Sequence, residues 1–250
     1  MIDPYRKRIE RARHLAAGPG SDPAMMSFYI RLLEFQRTVH ADFAARESTR
    51  LEDLLDHFPA LYRLVKSHGP QSLAQAVREV ANSDDARAAL LLACWEGPES
   101  PPEPARFLGR ALVQPFAEYL AGRAKTEMHP DSPTCGFCGA LPVCAVLRGE
   151  GEGAKRGLVC SLCSSEWAFR RILCPSCGCE DKEQLPVMIF EDVPNVRVDA
   201  CDVCRRYLKS VDLTKDGHAV PQVDDVATVL LSIWAEENGY SRLETNILGM

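Results

Sequence analysis

The chain has 250 residues and 27.7 kDa, is 46% apolar and 26% charged, and carries 29 Lys+Arg against 35 Asp+Glu for a formal charge of −6. This composition supports one large domain or two smaller ones and excludes a mainly disordered chain. The apolar stretches Ala88–Trp95 and Val226–Ala235 are shorter than the roughly 18 residues a spanning helix needs.

No apolar stretch follows the basic start Met1–Arg8, so a secretory signal is not expected and the expected compartment is the cytoplasm. The first half reads as helices. One is expected over about Pro4–Ala17, ending in Gly18-Pro19-Gly20, and a second begins with Asp22 as cap and Pro23 in the first turn. In it Met25, Tyr29, Leu32, Leu33, Val39 and Phe43 recur at helical spacing. Further helices are expected over Leu51–Lys66 with a break near Pro59, Ser72–Ala81, Asp84–Trp95 and Pro104–Lys125, where Pro115 should kink the last. Gly97–Pro102 reads as a linker. His14, His40, His57 and His68 form no metal-spaced cluster.

The character changes at His129-Pro130-Asp131-Ser132-Pro133, after which short β segments alternate with CxxC pairs. A hairpin is expected from Val143–Arg148 and Lys155–Val159 around Gly149–Gly153, with a third strand over Glu166–Leu173. Leu185–Phe190, Asn195–Ala200 and Tyr207–Leu213 repeat the pattern. After Pro221 one amphipathic helix carrying Val223, Val226, Leu230, Ile233 and Trp234 should run to about Asn238-Gly239.

Ten of the 11 cysteines lie between Cys135 and Cys204. An odd total without a signal peptide argues against a disulfide framework. Eight form four pairs: Cys135/Cys138, Cys160/Cys163, Cys174/Cys177 and Cys201/Cys204, with 21 residues between the first two pairs and 23 between the last two. This is an internal repeat of knuckle, hairpin and knuckle. Two cysteines three apart in a tight turn place both sulfurs on one ion, and two such knuckles at the ends of a hairpin complete a tetrahedron of thiolates. The spacing therefore predicts two four-thiolate sites. Sequential pairing of the knuckles is favoured over a crossed arrangement, because each couple brackets its own hairpin. Zinc and iron both accept this donor set. Four thiolates leave no open position for catalysis, and modules of about 40 residues need the metal to fold, so a structural role is favoured over redox chemistry. Glycine after the knuckle occurs at Gly136, Gly139 and Gly178, whereas Ser164 and Arg205 follow Cys163 and Cys204, so those turns should differ slightly.

Cys94, among Leu90, Leu91, Leu92 and Trp95, reads as a small buried hydrophobe. Cys144 and Cys179 read as spare thiols, with Cys179 a candidate alternative ligand. Arg170, Arg171, Arg205 and Arg206 flank the knuckles and should offset local negative charge, and Trp167 should pack on the hairpin.

Residues 1–130 carry 17 Lys+Arg and 17 Asp+Glu, so the whole −6 belongs to residues 131–250, which carry 12 and 18. A zinc-ribbon nucleic-acid binder would need the opposite sign. A thiol-redox or sulfur-transfer enzyme would need an accessible low-pKa cysteine outside the metal sites. The better expectation is an interaction module without enzymatic activity, in which a helical body carries rigid ribbons.

The runs Cys160–Phe169, Cys174-Pro175-Ser176-Cys177-Gly178 and Cys201–Lys209, with Asp224-Asp225, Ala227, Gly239-Tyr240 and Asn246, resemble the FdhE family of formate dehydrogenase accessory proteins. The resemblance covers about residues 130–250, and before them only the stretch around Phe28–Gln36 and the general layout. It implies a cytoplasmic maturation factor that binds the catalytic subunit of a respiratory molybdenum- or tungsten-containing formate dehydrogenase before twin-arginine export. It also implies rubredoxin-like sites for iron or zinc, with the eight CxxC cysteines at the family's ligand positions. Arg205, where glycine is commoner, and Cys144, where a small residue is usual, depart from the pattern.

The expected fold class is α+β. A helical domain over 1–130 is followed by four-cysteine ribbons, rubredoxin-like or zinc-ribbon, over 131–172 and 173–215, and by a C-terminal helix and tail over 216–250.

Overall fold

The first turn of each leading helix is closed by an aspartate. Asp3 accepts from Tyr5 N at 3.0 Å and Asp22 from Met25 N at 2.7 Å, each just before a proline that needs no partner for its missing N–H. The structure is a computed structural model that describes residues 3–18, 21–80, 83–96, 101–151 and 153–250. Its helices are α1 (Pro4–Ala16), α2 (Pro23–Arg46), α3 (Phe58–His68), α4 (Gln71–Val80), α5 (Asp84–Glu96) and α6 (Ala105–Arg123). A 3-10 segment, Leu51–His57, precedes α3, so the expected break falls where Pro59 can occupy a first turn. Gly97–Ser100 of the expected linker, Pro19-Gly20 and Ala81 lie outside the described residues.

The helices pack around α6, which buries Phe107, Leu108, Ala111, Leu112, Val113 and Phe116. Phe116 meets Phe43 of α2 with ring centroids 5.0 Å apart, and each such buried side chain contributes about 1.5–3 kcal/mol. The inward face of α2 is led by Met26, with Met25 only half-buried. Pro115 has no N–H to offer the Ala111 carbonyl four residues back. Gln36 Nε2 of α2 supplies the donor instead, at 3.2 Å, and also donates to Gln114 Oε1 at 3.1 Å.

The second half holds β1 (Pro142–Glu150), β2 (Gly153–Cys160), β3 (Glu166–Ala168), β4 (Val187–Ile189), β5 (Val196–Ala200), β6 (Arg206–Asp212) and β7 (Ser241–Arg242), with α7 (Pro221–Ala227) and α8 (Val229–Glu237). The two hairpins that look like separate repeats in the sequence are joined into one sheet of order β3-β2-β1-β6-β5-β4, with β7 on β6. The seam is a parallel pairing of Ala145–Leu147 with Ser210–Asp212. From Cys144 to Val146 the β1 side chains alternate between two cores. Ala145 joins Leu158, Leu208 and the helical core, while Cys144 and Val146 pack with Val143 and Val159.

Two expectations are corrected. The third strand stops at Ala168 rather than Leu173, because after a last cross-strand bond from Phe169 N to Arg156 O the next donor, Arg170 N, turns to Asp131 Oδ1. The single C-terminal helix is two, broken at Thr228. There the buried Lys209 ammonium takes the carbonyls of Asp225 (2.5 Å) and Thr228 (3.2 Å), which interrupts the helical ladder. The break rotates the second half of the segment, so α8 buries Leu231, Ser232 and Ala235, while the expected inward residues Leu230 and Ile233 are 62% and 47% exposed.

Asp225 holds these pieces together. Its side chain is fully buried, with Lys209 Nζ at 3.2 Å, Arg242 Nη2 at 2.5 Å and Asn246 Nδ2 at 2.9 Å. Beside it, Asp224 pairs with Arg11 of α1 and accepts from Val220 N, tying the helical half to α7. Burial raises the Asp225 proton affinity, but Arg242 and Lys209 outweigh it and hold the carboxyl below its ordinary value. Removing one partner from such a pair leaves buried charges uncompensated. Asp225→Ala should therefore lower stability by about 3–5 kcal/mol in urea unfolding. Because the folded-state pKa is depressed, this group's contribution is complete above about pH 4 and is lost as pH falls below it, so the acid limb of the stability curve should be shallower in Asp225→Asn than in the parent.

Candidate metal centres

Each CxxC pair sits in the same hydrogen-bonded turn. The first cysteine's N–H donates to the carbonyl five residues on: Cys135 to Ala140, Cys160 to Ser165, Cys174 to Cys179 and Cys201 to Arg206, all at 2.9 Å. The residue four positions after that cysteine is left-handed in every case, with φ of 72° at Gly139, 58° at Ser164, 75° at Gly178 and 56° at Arg205. The knuckles with Ser164 and Arg205 thus adopt the same backbone as the glycine ones. Side chains hold the two unfavourable positions. Ser164 Oγ donates to Glu118 Oε1 at 2.6 Å. Arg205 pairs with Asp202, lies 4.0 Å over the Tyr240 ring and donates to the Asn238 and Gly239 carbonyls. Gly136 has no positive φ. It provides room, since a Cβ there would come within 3.1 Å of Glu127 O and 3.3 Å of Met128 Sδ.

The knuckles assemble sequentially. Cys135, Cys138, Cys160 and Cys163 form one group, and Cys174, Cys177, Cys201 and Cys204 the other, with all four sulfurs of each group within 4.8 Å of one another. In the first, sulfur separations include 3.4 Å (Cys138–Cys160), 3.5 Å (Cys135–Cys163) and 3.6 Å (Cys138–Cys163). In the second, Cys174–Cys204 and Cys177–Cys201 are each 3.7 Å. A tetrahedral ion with metal–sulfur bonds of about 2.3 Å sets its sulfurs about 3.8 Å apart, so both cages fit one. Backbone N–H groups of Leu162 and Cys163 point at Cys160 Sγ, and that of Ser176 at Cys174 Sγ, each at 3.4 Å, which favours thiolate.

The crowding acts on the thiols unequally. Hydrogen bonds from Cys138, Cys160 and Cys163 pull Cys135 far below the ordinary thiol value, while the reciprocal bonds, Cys135 first, push Cys160 far above it. Burial pushes Cys174 up to about 12. No distribution of protons suits four sulfurs this close, whereas one cation suits all of them. Both groups could hold a metal ion.

The first cage is enclosed, with Cys135, Cys160 and Cys163 buried, and it is gripped by one face of α6. Arg110 Nη2 and Gln114 Nε2 donate to Ser161 O at 2.7 and 2.8 Å, and Glu118 takes the Ser164 hydroxyl while pairing with Arg8. Sequence reasoning missed this grip. Its only trace is the four-residue spacing of Arg106, Arg110, Gln114 and Glu118 along a helix whose other residues are mostly apolar. The second cage is more open, with Cys177 exposed, and the tail supports it through Tyr240 Oη to Asp202 at 2.6 Å and Ser241 N to Arg205 O at 2.8 Å.

The remaining cysteines lie outside both cages. Cys94 is half-buried against Gly109, where a Cβ would meet its sulfur at 2.4 Å, and burial pushes its thiol up to about 11. Cys144 is wholly buried in β1 and its thiol is pushed well up by that burial. Cys179 contributes its carbonyl to the third knuckle. Of the flanking arginines, Arg170 joins Asp131 and Glu180, and Arg206 donates to Arg242 O. Trp167 is buried and donates to Ser132 O at 2.9 Å, fixing the approach to the first knuckle.

At Gly178, a Cβ would touch nothing within 4 Å, so substitution there acts on the backbone alone. Gly178→Ala should cost about 1–2 kcal/mol through its left-handed φ, with Gly178→Asn milder, as read by urea unfolding of the metal-loaded chain.

Residues 134–171 match the family described as FdhE, central domain, and residues 172–248 match FdhE, C-terminal domain. A protein FdhE homolog of Aquifex aeolicus (strain VF5) is 28% identical over 200 residues, covering 79% of this chain and 71% of the relative. One from Stutzerimonas stutzeri (strain A1501) is 31% identical over 186 residues, covering 71% of this chain and 60% of the relative. Across such relatives the chain spans as little as 42% of the partner's length, in Edwardsiella ictaluri (strain 93-146). The crystal structure of the FdhE protein from Pseudomonas aeruginosa shares the fold, with a TM-score of 0.77 and 23% identity over 98% of this chain and 95% of that one.

Proposed function

The chain belongs to the FdhE family, and we propose that it is a cytoplasmic accessory protein that binds the catalytic subunit of a respiratory formate dehydrogenase and assists its maturation before export. The observation that carries this reading is the pair of four-sulfur cages set into one continuous sheet on a helical body. Cys135, Cys138, Cys160 and Cys163 would hold one iron or zinc ion, and Cys174, Cys177, Cys201 and Cys204 a second. Four thiolates saturate a tetrahedral ion, so the metal supplies structure, at about 10–16 kcal/mol for zinc in small modules. That is enough to fix the knuckles as a rigid docking platform.

Other readings are weaker. The acidic half has the wrong sign for nucleic acid. The thiols of Cys94 and Cys144 are pushed up by burial, which makes them poor nucleophiles for redox or sulfur-transfer chemistry. Among the described residues no helix is long and apolar enough to cross a membrane.

Replacing Cys135, Cys160, Cys174 or Cys201 with Ser should remove about one metal atom per chain, by elemental analysis, and destabilise the affected cage. Unchanged metal content would strike that residue from the ligand set. The acidic half should recognise a basic segment of the client. Tagged protein captured from formate-respiring cells should therefore retain a formate dehydrogenase catalytic subunit at low salt and release much of it at high salt. Capture of nucleic acid instead would overturn the reading, and a complex indifferent to salt would remove its electrostatic part.

A further inference from the structure

Beneath the second cage lies a small cavity of about 40 Å³, walled in part by Cys174 and Cys201 and by four arginines, Arg156, Arg171, Arg197 and Arg206, with Asp199 as the acidic residue among them. In a half of the molecule that is acidic overall, this is a local concentration of positive charge. Asp199 cannot balance it. Its carboxylate is already shared by Arg197 (2.8 Å), Arg156 (3.5 Å) and the Ser210 hydroxyl (2.6 Å). Arg171 and Arg206 have no carboxylate partner among the described residues.

Arg156 is the most constrained of the four. Its side chain is 4% exposed, it lies 5.5 Å from the Phe169 ring centroid, and Nη1 donates to the Arg170 and Leu173 carbonyls. Its Nε is buried without a hydrogen-bond partner among the described residues. A buried donor of this kind ordinarily finds an acceptor. Part of the positive charge answers the neighbouring cage, which carries −2 with a divalent ion bound. That charge and Asp199 together still leave one of the four arginine charges over.

We propose that this cavity binds a small monocarboxylate. At about 10–15 Å³ for each enclosed water, 40 Å³ accommodates about three non-hydrogen atoms, the size of one carboxylate group and smaller than phosphate or sulfate. Guanidinium forks are the side chains best matched to that planar anion. The inference does not depend on the proposed client.

Formate, the smallest carboxylate, is the probe. Titrated calorimetrically into the full, metal-loaded chain at low ionic strength, it should bind saturably at one site, and sulfate and phosphate should bind at least tenfold more weakly. Arg171 is exposed and has no carboxylate partner among the described residues, so Arg171→Gln should keep the fold and metal content while weakening formate about tenfold, the loss expected for one charge-assisted contact. Arg156→Lys, which keeps the charge but not the fork, should also weaken it, with circular dichroism and metal analysis confirming an intact chain. Absence of saturable formate binding, equal binding of phosphate, or formate affinity unchanged in Arg171→Gln would each overturn the proposal.

Discussion

Four sulfurs held within 4.8 Å of one another at the ends of a hairpin are a demanding arrangement for a polypeptide. Left as thiols they compete for protons, and burial denies most of them water. The chain meets the demand locally, by repeating one turn four times. A hydrogen bond spans five residues, and one left-handed residue aims both sulfurs of the pair inward. Given an ion, each cage converts a weak two-stranded hairpin into a fixed element. The sheet, the docking surface proposed above and the cavity beneath the second cage all depend on that conversion.

The cages do not stand apart from the rest. Three side chains one turn apart on α6 hold the knuckle of the first, and Arg8 of α1 extends that contact to the beginning of the described chain. The tail secures the second through Tyr240 and β7. Between them Asp225 draws Lys209 of β6, Arg242 of β7 and Asn246 into one buried cluster. The parallel seam of β1 and β6 then makes one sheet of two repeats. Elements far apart in the sequence are thus coupled by a few charge-assisted contacts, and the two cages differ in exposure because one faces the helical body and the other faces solvent.

Much of this was legible in the sequence, for identifiable reasons. CxxC spacing is local and nearly sufficient, so the eight cysteines, their sequential grouping and the hairpins between them could be read directly. The capping Asp22-Pro23 pair and apolar spacing likewise located most helices. What escaped was nonlocal. Nothing near Ala145 shows that it will pair with Ser210, and nothing near Thr228 shows that the Lys209 ammonium will break a helix there. Ser164 and Arg205 suggested altered knuckles because glycine is the usual left-handed residue, yet contacts to Glu118 and Tyr240 hold the same turn. Gln36 was visible only as a polar residue in a helix, although it answers the carbonyl that Pro115 leaves free.

The central claim is that each cage closes around one ion through four cysteine sulfurs. X-ray absorption at the metal edge of the purified, reduced chain, with metal quantified on the same sample, tests it most directly. The account predicts about two metal atoms per chain, each with four sulfur neighbours at about 2.3 Å and no light-atom ligand. A folded chain with no metal, or a metal shell containing nitrogen or oxygen, would contradict it.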